Sequence, residues 1–109
     1  MMDAPSLWRT LRGDEWSYAH AGCSARANFD GSNFSIGDVA CADGALGANQ
    51  VYEMLRDARA RLGSPAITVA LAGPANAAIV MLAAQGRVEW TGVAQFGGAS
   101  ARINYLKPE

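Results

Sequence analysis

The stretch Ala66–Trp90, AITVALAGPANAAIVMLAAQGRVEW, decides how the rest of the chain is read. From Ala66 through Gln85 it carries no charged residue, so hydropathy alone would mark a membrane span. A span needs about 20 apolar residues in one continuous helix. Here a β-branched first half is cut from the second by Gly73-Pro74, so the stretch reads as a strand followed by a helix. The strand, AITVALA, is largely apolar on both faces, as a central strand covered on each side would be. The helix, Ala75 to Gln85, is apolar nearly all round and closed by Gly86, which predicts deep burial.

Upstream, apolar residues at Val51, Met54, Leu55, Ala58 and Leu62 recur at helical spacing. Asp43 offers that helix an N-cap, Glu53/Arg56 and Asp57/Arg61 form opposite-charge pairs, and Gly63 with Pro65 ends it. Before it, EWSYAHAG, CSARANF and NFSIGDVAC read as three antiparallel strands, the last two joined at Asp30-Gly31-Ser32. Asp3 to Leu11 reads as a short helix with Pro5 in its first turn. Downstream, RVEWTGVAQF and SARINYLK form a hairpin through Gly97-Gly98. The expected fold class is α+β: one domain, a mixed, mostly antiparallel sheet and two main helices.

At 109 residues the chain is long enough for a single core. Its net charge of -1 lacks the positive field that collects phosphates along a nucleic acid, which disfavours that partner, and no membrane partner is expected. Cys23, Cys41 and the single histidine, His20, form no metal-ligand spacing, so no metal is expected. The cysteines read as free, partly buried thiols in a reducing cytoplasm. The opening MMDAPSLWRT has no basic segment leading into an apolar run, consistent with a cytoplasmic protein.

From about residue 16 to 108, this order of elements resembles the acyl-CoA-dependent N-acyltransferases of the GCN5-related (GNAT) superfamily, from their second strand to their end. FSIGDVACADGALGANQVYEML is similar to the family's fourth strand and the helix that receives the cofactor pyrophosphate. ITVALAGPANAAIVMLAAQGRVEWTGV is similar to its fifth strand, the Asn-Ala-Ile opening of the next helix and the sixth strand. INYLKP is similar to the final strand.

The resemblance implies acyl transfer from acetyl-CoA to an amine. It places the pyrophosphate at Gly44, Gly47 and Ala48, where glycines and a helix N-terminus suit an anion, and the cofactor arm near Asn76. It makes Asp38 in IGDVA the general base. The family's pyrophosphate motif opens on Arg or Gln where this chain has Gly44, and Leu82 stands where the family carries the tyrosine that protonates the thiolate; Tyr52 and Tyr105 are the available substitutes. A non-catalytic GNAT-like dimerisation or ligand-binding module is therefore the alternative.

The family's first strand and early helices have little counterpart in this reading, which makes the fold an N-terminally truncated one. A shortened sheet would leave apolar surface and a strand edge uncovered, so a homodimer is expected. Arg26 and Arg102 lie on predicted strands, as anion contacts or on a solvated sheet face.

Overall fold

The computed structural model describes residues 7–42, 47–63, 65–95 and 98–108. Seven strands and two helices follow one another: β1 (Trp8–Arg12), β2 (Glu15–His20), β3 (Cys23–Phe29), β4 (Asn33–Cys41), α1 (Gly47–Leu62), β5 (Ala66–Ala70), α2 (Pro74–Ala84), β6 (Val88–Gln95) and β7 (Gly98–Leu106). The sheet order is β1-β2-β3-β4-β5-β7-β6, in which only β4 and β5 run parallel. The α+β class and the mostly antiparallel sheet agree with the sequence reading.

Strand alternation gives the sheet two unlike faces. Trp16, Ala27, Ile36, Val69 and Ala101 are successive cross-strand partners, and all are buried. One residue away along each strand, Glu15, Asn28, Ser35, Thr68, Arg102 and Thr91 form a polar row across the same strands. The helices pack on the apolar face, where Val51, Met54, Leu55 and Ala58 of α1 and Ala75, Ala78, Ile79 and Leu82 of α2 join one core with the strands. Phe34 sits at its centre, fully buried, with Trp8 edge-on at 4.8 Å and Trp16 at 6.2 Å between ring centroids.

Trp8–Arg12 is a strand, where the apolar spacing of Leu7, Trp8 and Leu11 predicted a helix. Two tertiary contacts outweigh that spacing. Asp57 Oδ2 accepts the backbone N–H groups of Leu7 and Trp8, each at 2.9 Å, and the Trp8 indole N–H donates to the Met54 carbonyl at 2.9 Å. The start of β1 is thereby fastened to α1. Residues 3–6 of the predicted helix lie outside the described residues. The resemblance led to no strand beside the family's second one, yet β1 stands there, joined to β2 through Gly13-Asp14.

The cysteines are also corrected. Cys23 and Cys41 are cross-strand partners on β3 and β4 and form a disulfide, so neither is a free thiol. Spacing along the chain concealed this, because the pairing comes from hairpin register. Disulfides persist in oxidising environments, so cysteine usage no longer argues for a reducing compartment.

α1 and β5 through β7 follow their predicted places, with Gly63 and Gly86 at φ 73° and 72° after the two helices. The turn before β4 is held by Asp30, whose Oδ1 accepts from the backbone N–H groups of Ser32 (2.9 Å) and Asn33 (2.7 Å); these bonds lower its carboxyl pKa. α2 differs from expectation: its inner face is buried, but Val80 and Met81 are half exposed. It packs on one side only. No helix among the described residues is long and apolar enough to cross a membrane.

Candidate functional site

Strand β4 keeps company with β5 for only four residues, from Asn33↔Ala66 to Ile36↔Val69, although it runs on to Cys41. Just past that point it carries a bulge. Ser24 pairs with Ala40 and Arg26 with Gly37, so Ala25 of β3 faces two residues of β4, Asp38 and Val39. Val39 turns into the core, whereas Asp38 is exposed and adopts φ 53°. Left-handed backbone costs a non-glycine residue roughly 1–2 kcal/mol, and aspartate is one of the few that visits it. A carboxylate in such a conformation where two strands separate is an observed strain of the kind that marks functional sites.

Asp38 lines a cavity of about 270 Å³ on the open face of the sheet, with Leu11, Glu15, Arg26, Asn28, Ser35 and Gly37 among its walls. Alternation along β3 explains the lining: Ala25 and Ala27 enter the core, so Arg26 and Asn28 face the cavity. Ser35 Oγ accepts a hydrogen bond from the Asn33 side-chain amide at 2.7 Å, which leaves the serine's own proton to donate. Glu15 lies 4.0 Å from Arg12 in an exposed contact, while Arg26 and Asp38 form no salt bridge among the described residues. The cavity is thus lined by one cation, Arg26, and two carboxylates, Glu15 and Asp38, of which only Glu15 has a charged partner among the described residues.

The other expected site residues sit elsewhere. Gly44 lies outside the described residues. Gly47, buried, and Ala48 open α1, whose first turn carries no acidic side chain. A Cβ added at Gly47 would meet nothing within 4 Å. Asn76 is exposed in the first turn of α2, in a shallow apolar hollow with Gly73, Ala77, Val80, Met81 and Ala84. Gly73 caps α2 at φ 60° without a side-chain hydrogen bond, leaving the N–H groups of that first turn to solvent or a ligand. It lies across from β4, where a Cβ built on it would stand 3.7 Å from the Val39 carbonyl oxygen. Asp38 and Asn76 line separate hollows.

Of the tyrosines, Tyr52 is buried, donates its hydroxyl to the Lys107 carbonyl and lies 4.0 Å beneath the Arg87 guanidinium; Tyr105 is exposed on β7. Tyr18 is buried with no partner for its hydroxyl among the described residues, and burial, with the Asp57 and Glu53 charges, pushes its pKa up to about 12. Leu82 is fully buried in the core. Sequence reading singled out Asp38 and weighed Arg26 as an anion contact, but missed Glu15, Asn28 and Ser35. Their signal was the polar half of the strand alternation, which becomes a site only once register aligns three strands.

Compared with protein-family models, with curated proteins and with solved structures, the chain matches none.

Proposed function

We propose that the chain is a small acyl-CoA-dependent N-acyltransferase of the GCN5-related kind, using acetyl-CoA to acylate an amine. The observation that carries this reading is Asp38: a strained, exposed carboxylate at the bulge where β4 parts from β5, beside a cavity sized for a small acceptor. The donor supplies an activated thioester carbonyl. Gly47 and Ala48 present the N–H groups of the first turn of α1, with Gly44 before them, and no acidic side chain of that turn repels a pyrophosphate. Asn76 offers a polar contact from the exposed start of α2 to the cofactor arm.

An acceptor amine arrives as an ammonium, and Asp38 takes its proton directly or through one water. The free nitrogen then forms the amide bond as the carbon–sulfur bond breaks, and it releases its second proton to solvent. The departing thiolate takes a proton from solvent, since Leu82 has none to give. Positioning and amine deprotonation account for the chemistry required. A homodimer remains part of the proposal.

The buried Leu82 favours one second reading, a relative that keeps the fold and binds its ligand or a second copy without turnover. The test is thermal unfolding with acetyl-CoA. Binding at one hundred times the dissociation constant adds about 2.7 kcal/mol of stability, and no shift at millimolar acetyl-CoA rejects the enzyme. A shift without acetyl-CoA-dependent thiol release in the presence of amines supports the second reading.

A further inference from the structure

We infer that the cavity on the open sheet face takes a small zwitterion, and that the acceptor amine is an amino acid recognised through its carboxylate. The acceptor role rests on the acyltransferase reading; the binding preference does not. A cavity of about 270 Å³ equals roughly nine waters at their liquid volume, enough for one amino acid and too small for a folded protein surface. Of its three charged walls, Glu15 is turned to Arg12 outside the cavity, which leaves Arg26 and Asp38 as opposite charges with no salt bridge between them among the described residues. Arg26 and Gly37 are cross-strand partners, so the guanidinium rises from β3 one residue away from the Asp38 carboxylate on β4.

Arg26 is a planar donor suited to a carboxylate. Two residues on, Asn28 faces Ser35 across the same strands, adding an amide and a hydroxyl proton. Asp38 faces the other end and accepts the ammonium. A ligand with both charges within a few bonds satisfies both walls at once. A plain diamine leaves Arg26 opposed by like charge, and a plain acid does the same to Asp38. The ammonium so placed is the one whose proton Asp38 removes, which makes the carboxylate contact a means of aiming the nucleophile.

The experiment compares L-alanine with ethylamine and L-leucine with 3-methylbutylamine, pairs that differ only in the carboxylate. Binding is followed by amide chemical shifts of the protein, and turnover by thiol release from acetyl-CoA. Shifts confined to the cavity strands and at least tenfold better affinity and kcat/KM for the amino acids are expected. Arg26→Gln should erase that preference while leaving the acetyl-CoA melting shift and the unfolding temperature of the free protein unchanged. Equal use of amines and amino acids, with the acetyl-CoA shift intact, overturns the inference and leaves the acyltransferase reading standing. Amino-acid binding at the cavity without any acetyl-CoA effect does the reverse. Stronger binding of 1,5-diaminopentane than of L-leucine also overturns it.

Discussion

Among the described residues, two that are not glycine hold a positive φ, Ala21 and Asp38, both at 53°. Ala21 belongs with Gly22 (φ 83°) to the two-residue turn between β2 and β3, where left-handed backbone matches strand twist and alanine gains nothing from it. Asp38 sits inside a strand at a cavity wall. The same substitution separates strain from use. Ala21→Gly and Asp38→Gly are each expected to stabilise the fold by about 0.5–1 kcal/mol, the relieved backbone strain outweighing glycine's greater freedom when unfolded. Only Asp38→Gly is expected to lower acyl transfer, by 10²–10⁴-fold as loss of a general base does. Urea unfolding and thiol release check the pair, and equal activity in both removes Asp38 from the chemistry.

Tyr18 gives a second prediction at this scale. Its pKa is 10.0 in a free chain and about 12 in the fold, so the unfolded state loses the proton first. Stability from this group is complete below pH 10 and falls as pH rises to 12, by about 2–3 kcal/mol. Tyr18→Phe should flatten the alkaline loss in urea titrations between pH 9 and 11.5. At pH 7 it should change stability little, since the hydroxyl it removes has no hydrogen-bond partner among the described residues.

At the scale of elements, what could be read in the sequence was what periodicity encodes locally. α1 shows its apolar stripe, and β5 and α2 are divided by Gly73-Pro74, so their places follow from residue order alone. β1 could not be read this way, because five residues carry too little pattern to outvote contacts made 46 to 50 positions away. Asp57 shows the same limit: its sequence spacing paired it with Arg61, but its carboxylate holds Leu7 and Trp8, while Arg61 lies over the Trp16 ring at 5.5 Å. Asp38 was legible as a lone carboxylate, and its strain was not, since a bulge is a property of two strands in register. Asp57→Ala leaves two N–H groups at the start of β1 unpaired. It is expected to cost about 1–3 kcal/mol and to raise amide exchange selectively in Trp8–Arg12. Uniform exchange across the sheet would refute the fastening role.

At the scale of the whole molecule, the unlike faces of the sheet decide what can associate. The face without helices carries the polar row from Glu15 to Thr91, and an antiparallel sheet tolerates water on such a face. The sheet edges are β1 and β6, and β1 bears Arg9 and Arg12, charges that discourage edge pairing. Self-association of the proposed homodimer then falls to the outer side of α2, where Val80 and Met81 are 53% and 50% exposed in a helix without a charged residue. Covering two half-exposed side chains per copy gains a few kcal/mol at about 25 cal/mol per Å², no more than the roughly 4–15 kcal/mol that association costs. The dimer should accordingly be weak. Sedimentation velocity from 1 to 100 μM is expected to show a coefficient that rises with concentration, and Val80→Lys with Met81→Lys to hold it at the monomer value without lowering the unfolding temperature. A concentration-independent monomer removes the dimer, and a dimer indifferent to both lysines moves the contact to a sheet edge.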